Sequence, residues 1–444
     1  MRLIGALAIL AFTAASAFAQ DIARMEQVIQ TAVDKKTFMG SVLVARGNDI
    51  LLNKGYGHAD LEWEIANTPT TKFRLGSITK QFTSASILLL EERGKLRIED
   101  PIRQHLPDVP AAWDAITIYN LLTHTSGIPN FTALPEYQKL KPFAAAVEKT
   151  LDVLRDKPLD FAPGERMSYS NSGYLVLGRL IEKITGASYA AFVKDNIFVP
   201  LAMKDSGFDS NSEIIPRRAA GYAPSPSGPI NAGFIHMTIP HAAGSLYSTT
   251  EDLLRWEQGL FAGKVLSAAS LQKMITPFKE NYALGIGVRA MDGRKAVTHG
   301  GGIEGFNTVL SYYPDSRITV AVLANINGPA ADQIGRSLGA LAHGDTVTLN
   351  SERKEIVLPP ATLARYLGDY EMTPKMLLTI SLDGDALMAQ LTGQGKLQIY
   401  PEAENAFFLK VVDAQIEFVT GADGTVTHAV LHQGGRDLRG TRKH

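Results

Sequence analysis

Strand-like segments stand at both ends of a long helical region, and this arrangement constrains the fold more than any other feature of the chain. Residues 40–57 (GSVLVARGNDILLNKGYG) predict two strands joined by a turn at 47–49. Strand patterns return in YALGIGVRAMDG, KAVTH and FNTVLSYYPDSRITVAVLAN, and a turn at 314–316 divides the last of these. The pattern between 77 and about 250 is mostly helical. We therefore predict an α+β fold, with one antiparallel sheet flanked by helices and an inserted helical subdomain.

A second group of short alternating runs follows residue 358, among them LLTISLDGDALMAQL, AQIEFVT and TVTHAVLHQ. Asp383-Gly384 and Asp423-Gly424 are typical hairpin turns. We predict a small all-β, barrel-like domain over residues 359–444. A charged linker at 346–358 would separate it from a main domain over 20–345.

The first nineteen residues have the pattern of a secretory signal peptide. Arg2 precedes an apolar run, and small residues lead to an A-x-A cleavage pattern at 17–19. An uncleaved membrane anchor is the alternative, but the apolar run is short and lacks a basic flank on its far side. We expect a mature chain that starts near Gln20 and is exported, either periplasmic or secreted.

The composition narrows the classes of function. With 44 basic and 45 acidic side chains, the chain has a net charge of -1, which gives no indication of a nucleic-acid partner. It has no cysteine, which excludes disulfides, thiol catalysis and zinc-thiolate sites. A sizeable core must therefore hold the exported chain together. No later segment is apolar over the length of a bilayer, so we expect no membrane span after signal cleavage.

A serine and a lysine three residues apart stand at the start of an apolar helical run, in FRLGSITKQF. Ser77 and Lys80 lie about one turn apart on one face of the predicted helix, and Gly76 permits a tight turn beside them. A serine hydroxyl needs a neighbouring base to act as a nucleophile. Burial or a nearby positive charge lowers the pKa of a lysine toward that role. The alternative is that Ser77 only caps the helix and Lys80 is solvated, and this motif alone leaves both open.

Other sites for serine or metal chemistry have less support. Ser-x-x-Lys recurs at Ser270/Lys273 and Ser351/Lys354, where the surroundings predict surface positions. No serine lies in a G-x-S-x-G elbow. The chain has no H-E-x-x-H motif and its ten histidines are scattered, which argues against metal-dependent hydrolysis.

The stretch MSYSNSGYLVLGRLIEK (167–183) places Tyr169 and Asn171 two residues apart, just before a predicted helix. In extended backbone these two side chains share a face and Ser170 points away. A tyrosine hydroxyl can relay a proton to a leaving group if a cation lowers its pKa. An asparagine can both donate to and accept from a substrate amide. Core packing of Tyr169 and helix capping by Asn171 are the structural alternatives.

A histidine with three glycines follows a predicted strand in VTHGGGIEGF (297–306). Glycines allow a backbone to approach a ligand closely, and their N–H groups can bind an oxyanion. His299 is therefore a candidate catalytic residue, and Gly301 and Gly302 are candidate substrate contacts. The alternative is a glycine-rich hairpin loop with a surface histidine.

Taken together, SITK, YSN and HGG resemble the active-site triplet of serine hydrolases related to class C β-lactamases and D-alanyl-D-alanine carboxypeptidases. LLTHTSGIPNF, FAPGERMSYSNSGYLVLGRLIEKITG and AGSLYSTTEDLLRW are similar to the same family, and the resemblance covers about residues 24–343. It implies a fold of the β-lactamase/penicillin-binding type and no metal or organic cofactor. The C-terminal unit resembles, more loosely, the lipocalin-like β-domains that some of these hydrolases carry.

The resemblance also implies a role for each candidate residue. Ser77 would be acylated, and Lys80 and Tyr169 would shuttle its proton. Asn171 would hold the substrate amide. The backbone N–H groups of Ser77 and Gly302 would form the oxyanion hole.

One departure from the family pattern concerns His299, which would lie on the edge strand near the substrate carboxylate. The motif is His-Gly-Gly here, where class C β-lactamases usually carry Lys-Thr-Gly. A histidine changes its charge near neutral pH and binds an anion less surely than a lysine. The departure favours a peptidase or an esterase over a β-lactamase. If the neutral form of His299 is required, activity is expected to fall as the pH drops through the range where imidazole protonates.

We therefore expect a serine hydrolase that acts through an acyl-Ser77 intermediate on a small amide, peptide or ester. The leading candidates for the substrate are a D-amino-acid peptide and a short acyl ester. The alternative is that the protein is a β-lactamase or a non-catalytic penicillin-binding sensor. The C-terminal domain either narrows the mouth of the site or mediates a homo-oligomer, and the sequence leaves both open. His124 and Ser126 are interpreted as loop-shaping residues, and Lys141 as part of a solvated face.

Overall fold

The computed structural model describes residues 22–412, 414–433 and 436–443. The predicted signal peptide and its cleavage site lie outside these residues. They divide into two compact units, one up to Asp345 and one from Thr346. Among the described residues, no helix has the length and apolarity that crossing a membrane requires.

The helices lie mainly in the first unit. In chain order they are α1 (22–34), α2 (Thr79–Glu92), α3 (Ile118–Leu122), α4 (Pro135–Leu140), α5 (Val147–Asp152), α6 (Asn171–Thr185), α7 (Tyr189–Val193), α8 (His241–Gly244), α9 (Thr250–Phe261), α10 (Ala268–Met274), α11 (Ala330–Ala342) and α12 (Pro360–Ala364). A π-helical turn continues α7, and short 3-10 turns complete the set at Gly76–Ile78, Ile102–Gln104, Ala111–Trp113, Phe131–Ala133 and Asn350–Glu352.

The strands of the first unit are β1 (Gly40–Arg46), β2 (Asp49–Tyr56), β3 (His58–Asp60), β4 (Ile65–Ala66), β5 (Phe73–Arg74), β6 (Gly207–Phe208), β7 (Tyr222–Ala223), β8 (Ile230–Asn231), β9 (Leu246–Ser248), β10 (Gly287–Met291), β11 (Arg294–Ile303), β12 (Phe306–Tyr313) and β13 (Ile318–Ala324). Those of the second unit are β14 (Gly368–Thr373), β15 (Met376–Asp383), β16 (Ala386–Leu391), β17 (Leu397–Gln398), β18 (Tyr400–Pro401), β19 (Ala406–Phe408), β20 (Ala414–Thr420), β21 (Val426–Gln433) and β22 (Arg436–Arg442).

A six-stranded antiparallel sheet organises the first unit, in the order β10-β11-β12-β13-β1-β2. β1 pairs with β13, with Gly40 opposite Ala324, so strands from the two ends of the domain meet in the middle of the sheet. The helices from α2 to α10 lie between these two groups of strands along the chain. The predicted α+β architecture with an inserted helical region is confirmed.

Helices cover both faces of this sheet. All seven residues of β13 are buried, which requires cover on each side. α11 covers one face, where Gly335 has no side chain and the helix can approach Val309 and Val322. Ala321 and Leu323 join the large core on the other face, which also contains α2 and α6.

α2 is the central helix of that core. Twelve of its fourteen residues are buried, from Thr79 to Leu90. A helix that is enclosed all round must satisfy its polar side chains internally. Thr83 Oγ1 lies 2.7 Å from the backbone oxygen of Ala242, and Ser86 Oγ donates to the oxygen of Phe82 at 2.8 Å. The helix is thereby fixed against α8, and its first turn has a defined position.

The second unit is a nearly closed antiparallel barrel. Its nine strands run in the order β17-β16-β15-β14-β22-β21-β20-β19-β18. The two end strands are separated along the chain by Ile399 alone, so the sheet curls until its ends meet. Tyr366, Phe407 and Phe418 fill its core, with the rings of Tyr366 and Phe418 stacked 4.5 Å apart. The barrel-like all-β prediction is confirmed.

Residues 346–358, which the sequence predicts as a linker, lie in this second unit. Arg353 forms an ion pair with Glu402 at 2.5 Å, and the N–H of Ile356 donates to the oxygen of Pro401 at 2.8 Å. Leu358 packs against the core of the barrel. The segment therefore has specific contacts with the barrel despite its charge.

Candidate active site

Ser77 lies in the 3-10 turn at Gly76–Ile78, which leads directly into α2. Gly76 has φ +54, a conformation that favours glycine. A Cβ on Gly76 would lie 2.9 Å from the backbone nitrogen of Gly302, so only a glycine lets this turn approach β11 so closely. Thr308 Oγ1 donates to the oxygen of Leu75 at 2.7 Å and holds the same turn against the sheet.

The amine of Lys80 has three close oxygen neighbours. Nζ lies 3.0 Å from Oγ of Ser77, 2.8 Å from Oδ1 of Asn171 and 2.8 Å from the backbone oxygen of Ala243. Burial lowers the pKa of Lys80 well below its usual value, and none of these three partners is a carboxylate that would oppose the shift. A neutral amine has two N–H groups and one lone pair. Because the oxygens of Asn171 and Ala243 can only accept hydrogen bonds, the lone pair faces the hydroxyl of Ser77.

Tyr169 and Asn171 flank Ser170, which has extended backbone (φ -136, ψ 119) just before α6. Asn171 accepts a hydrogen bond from Lys80, and its amide nitrogen lies 3.3 Å from Oγ1 of Thr132. The side chain of Asn171 therefore orients Lys80, a contact that sequence alone did not predict. The helix-capping alternative is not supported, because Asn171 is the first residue of α6 and its side chain points to Lys80.

The hydroxyl of Tyr169 lies beside that of Ser77, and 37 % of the Tyr169 side chain is exposed. Burial raises the pKa of Tyr169, and the nearby hydroxyl of Ser77 opposes that rise. Lys80 Nζ lies 4.9 Å from the centroid of the Tyr169 ring, but a neutral amine supplies no positive charge. The condition set for a proton relay by Tyr169, a cation that lowers its pKa, is therefore not met in the free site. Tyr169 is a neutral hydroxyl beside the nucleophile.

His299 lies on β11, and the structure corrects two expectations about it. β11 is not the edge strand, because β10 lies outside it. The pairing with β10 ends at Thr298, however, so β11 has no strand partner on that side from His299 onward. The imidazole is also not poised near neutral pH. Burial is the main cause that lowers the pKa of His299 to about 3, and the charge that Lys80 carries when it is protonated adds to the shift. His299 is therefore neutral across the physiological pH range. Any fall in activity caused by protonation of His299 is expected only at strongly acidic pH.

A chain of hydrogen bonds holds the imidazole of His299 in place. The N–H of Ser170 donates to Nδ1 of His124 at 3.2 Å, so the proton of this neutral imidazole lies on Nε2, 3.2 Å from the hydroxyl of Tyr282. That hydroxyl lies 3.0 Å from Nε2 of His299, and Nδ1 of His299 lies 2.6 Å from the backbone oxygen of Gly300. Each donor meets one acceptor when both imidazoles are neutral.

The imidazole rings in this chain of hydrogen bonds lie beside Tyr169, the candidate catalytic tyrosine. The His124 and Tyr169 ring centroids are 4.2 Å apart, and the Tyr169 and His299 centroids are 6.4 Å apart. Sequence reasoning took His124 as loop-shaping and did not single out Tyr282. The signal that was available is the histidine in LLTHTSGIPNF, one of the segments similar to the family.

The glycines of the third motif bring β11 against the nucleophile turn. A Cβ on Gly301 would lie 1.9 Å from the oxygen of Leu75, whereas one on Gly302 would have 3.5 Å to its nearest neighbour, Asn307 Nδ2. Ser77 and Gly302 both line the same cleft. Their backbone N–H groups are therefore the candidate oxyanion donors, as the resemblance implies.

The cleft holds about 430 Å³ of space, its open mouth included. Ser77, Asn171 and Gly302 line it, and the other residues that line it are mainly apolar, among them Phe131, Thr132, Tyr137, Ile235, Ile239, Pro240, Ala243 and Ile303. Glu304 also lines it. Lys141 forms an ion pair with Glu304 at 3.1 Å and is only 22 % exposed, so its interpretation as part of a solvated face is wrong.

The other Ser-x-x-Lys pairs have no such surroundings. Lys273 forms an exposed ion pair with Glu91 at 2.8 Å, and Ser270 lies within hydrogen-bond distance of the N-cap Ser267. In the part of the chain that the structure describes, no group of three or more histidine, cysteine, aspartate or glutamate side chains could hold a metal ion. Ser77 with Lys80 is thus the serine pair that lies in a cleft.

Comparison with known proteins gives a consistent result. The family described as Beta-lactamase matches residues 25–344, and the family described as Domain of unknown function (DUF3471) matches residues 352–442. Penicillin-binding protein 4* of Bacillus subtilis (strain 168) is 28% identical, over 93% of this chain and 97% of its own length.

Solved structures are similar over 73% to 95% of this chain. The octameric penicillin-binding protein homologue from Pyrococcus abyssi has a TM-score of 0.67 at 26% identity and covers 95% of this chain and 100% of its own. A D-stereospecific amidohydrolase from Streptomyces sp. has a TM-score of 0.63 at 25% identity and covers 73% of this chain and 99% of its own. The family resemblance is confirmed: the chain belongs to the Beta-lactamase family and is a serine hydrolase of that family.

Proposed function

We propose that the protein hydrolyses a small amide, peptide or ester through an acyl-Ser77 intermediate, with an amino-acid amide or peptide of D configuration as the leading substrate. The observation that carries the proposal is the position of Lys80. Its buried amine lies 3.0 Å from the hydroxyl of Ser77, and both of its other neighbours are acceptors. A base so oriented accepts the hydroxyl proton as the oxygen attacks.

The steps follow from the same contacts. Lys80 takes the proton of Ser77, and Oγ forms a bond to the substrate carbonyl carbon. The N–H groups of Ser77 and Gly302 stabilise the oxyanion. When the tetrahedral intermediate collapses, the hydroxyl of Tyr169 gives its proton to the leaving group and is reprotonated from the Lys80 ammonium. A water molecule then attacks the acyl ester and gives its proton to Lys80. As the Oγ–C bond breaks, Lys80 returns this proton to Oγ, which releases the acid and regenerates Ser77 and the neutral amine.

The choice of substrate class is supported by the third motif. A β-lactam carries a carboxylate that a permanent ammonium would favour, and the imidazole of His299 is neutral with a pKa of about 3. The similarity to a D-stereospecific amidohydrolase, and the hydrogen bonds that Asn171 can make to an amide, support amide hydrolysis. Hydrolysis of β-lactams is the second candidate, because the family that matches residues 25–344 is Beta-lactamase.

A substrate panel tests the proposal. It includes D- and L-amino-acid amides, D-Ala-D-Ala peptides, short nitrophenyl esters and a chromogenic cephalosporin. Ser77→Ala is compared with Ser270→Ala, which removes the serine of a Ser-x-x-Lys pair outside the cleft. We expect Ser77→Ala to abolish turnover of every substrate used and Ser270→Ala to leave it unchanged. Full activity of Ser77→Ala would refute the acyl-serine mechanism. A stable penicillin adduct without turnover of any substrate would identify a sensor instead.

We further propose that the protein is exported and that residues 1–19 are removed. The proposal rests on the apolar run and the A-x-A pattern at 17–19. N-terminal sequencing of protein recovered from the periplasm or medium of the producing cells should give a chain that starts near Gln20. Recovery of the uncleaved chain from membranes would support the anchor alternative.

Self-association is a further proposal. It rests on the similar structure from Pyrococcus abyssi, which is described as octameric and covers 95% of this chain. Light scattering of the purified full chain should give a mass that is a multiple of the monomer. A monomeric mass at all concentrations tested would refute it.

A further inference from the structure

An ion pair and an aromatic ring stand together at one wall of the cleft. Glu304 lies just beyond Gly302 in the turn between β11 and β12, and it lines the cleft together with Ser77. Lys141 Nζ lies 3.1 Å from Oε1 of Glu304 and 5.8 Å from the centroid of the Tyr137 ring. A carboxylate and an aromatic face are the two groups that attract an ammonium ion. The ammonium of Lys141 already lies beside both.

The residues that line the cleft include the acidic partner of this ion pair and not the basic one. Of the side chains that line it, only that of Glu304 carries a carboxyl or an amine group, and its partner Lys141 is not among the lining residues. Both partners are largely shielded, with 22 % of the Lys141 side chain and 19 % of the Glu304 side chain exposed. A carboxylate has two oxygens and about four acceptor positions, and the contact with Lys141 uses Oε1. Glu304 can therefore accept further hydrogen bonds from a ligand in the cleft.

We propose that Glu304 forms a subsite for the ammonium group of an amino-acid or peptide substrate, with Tyr137 providing one wall of that subsite. The proposal rests on the acyl-Ser77 function above and narrows its substrate class to compounds with a free amino group. Lys141 holds Glu304 in place and partly neutralises it, so this lysine tunes the affinity of the subsite. The apolar side chains of Phe131, Ile235 and Ile239 line the remaining cleft and fit an apolar substrate side chain.

Three kinds of p-nitroanilide test the subsite: phenylalanine p-nitroanilide in its D and L forms, the N-acetyl derivatives of these, and the 3-phenylpropanoyl compound, which lacks the amino group. Glu304→Gln preserves the size of the side chain and removes its charge. For the compound with a free amino group we expect KM to rise about tenfold, the loss of one charge-assisted hydrogen bond. We expect kcat to change little, and KM for the other two compounds to stay constant.

Lys141→Met is the matched variant, because it removes the other half of the ion pair and keeps the length of the side chain. With Glu304 no longer neutralised, KM for the free amine should fall, by about threefold. A rise in KM for substrates that carry a carboxylate, with no change for the free amine, would instead assign the subsite to Lys141 and an anion. That outcome overturns the proposal.

The uncharged compounds serve as internal controls for folding. If Glu304→Gln lowers the activity on all three equally, the residue has only a structural role and the subsite is refuted. The subsite alone is wrong if Ser77→Ala is inactive but Glu304→Gln keeps the wild-type ratio between the KM of the free amine and the KM values of the other compounds. If Ser77→Ala remains active, the acyl-serine function itself is wrong.

Discussion

The hydroxyl of Tyr282 lies 3.0 Å from Nε2 of His299, and it bonds that histidine to His124 from a distant part of the chain. Both imidazoles are buried and both have pKa values below the usual range, mainly because of that burial. Each must remain neutral and each needs a partner for its ring nitrogens. Tyr282 supplies an acceptor to one and a donor to the other.

Removal of this hydroxyl should weaken catalysis without removing a group that touches the nucleophile. In Tyr282→Phe, Nε2 of His299 becomes an unpaired buried acceptor, which costs about 1–3 kcal/mol of stability. Tyr370→Phe is the control, since it also removes a buried hydroxyl, one that donates to the backbone oxygen of Tyr366 in the second unit. We expect kcat to fall about tenfold or more in Tyr282→Phe and much less in the control.

Nitrogen-15 NMR of the histidine side chains separates positioning from stability. The wild-type protein should have His124 protonated on Nε2 and His299 on Nδ1. Tyr282→Phe should shift both signals, and Tyr370→Phe should not. Identical histidine spectra in the two variants would contradict a positioning role for Tyr282.

Lys80 should determine the acid side of the pH profile. A general base must be unprotonated, so activity falls as the pH drops below the pKa of Lys80, which burial lowers well below its usual value. His299 does not titrate there, because its pKa is about 3. We expect His299→Gln to lower the rate but to retain the acid limb of kcat/KM. Loss of that limb in His299→Gln would assign it to the histidine.

Lys80→Met tests the same base directly. Methionine fills a similar volume without an amine, so the hydroxyl of Ser77 loses its proton acceptor. The acylation rate should fall about 10³-fold, the usual contribution of a general base. Pre-steady-state acylation by a nitrophenyl ester measures this step alone. A variant that acylates at the wild-type rate would exclude Lys80 as the base.

Glu257 should make the protein less stable as the pH rises. It is fully buried in α9, neither carboxyl oxygen has a hydrogen-bond partner, and burial raises its pKa to about 8. The unfolded chain loses this proton above pH 4.5, the folded chain only near pH 8, so stability falls across that window. At pH 7 the loss is roughly 3 kcal/mol. Glu257→Met should therefore be more stable than wild type at pH 8.

Urea unfolding at several pH values measures this effect, with Glu251→Met on the same helix as the control. Glu251 is 45% exposed and forms an ion pair with Arg255, so its substitution should not change the pH slope. If Glu257→Met retains the wild-type slope between pH 5 and 8, this carboxyl does not cause it.

Two adjacent glycines should differ in how well they tolerate substitution by alanine. A Cβ on Gly301 would lie 1.9 Å from the oxygen of Leu75, so β11 and the nucleophile turn must separate. A Cβ on Gly302 meets nothing closer than 3.5 Å. Gly301→Ala should cost about 2 kcal/mol or more of stability and most of the activity, while Gly302→Ala should unfold near the wild-type midpoint. Equal thermal midpoints in both variants would contradict this packing.

Much of the site follows from local sequence rules. The spacing of Ser77 and Lys80 places both on one helix face, and alternation in an extended stretch places Tyr169 and Asn171 together. These relations span two or three residues, so backbone geometry alone decides them. The six-stranded sheet was also predictable, because its strands are long and regularly patterned.

Properties that depend on tertiary surroundings were not predictable. The protonation state of His299 depends on burial by residues far away in the chain, and so does that of Glu257, which looks like a surface charge in its helix. Lys141 appeared solvated because its partner, Glu304, is 163 residues away. Tyr282 belongs to none of the sequence motifs identified above, and only the fold brings it between two histidines.

The way in which the C-terminal barrel closes has a consequence for association between copies of the chain. An open sheet offers unpaired backbone groups to which a second strand can add. Here the two end strands, β17 and β18, are only two residues long. Pro401 in β18 has no N–H to offer, and its oxygen already accepts a hydrogen bond from Ile356. The segment at 346–358 thus caps the edge at which uncontrolled β-aggregation would otherwise begin.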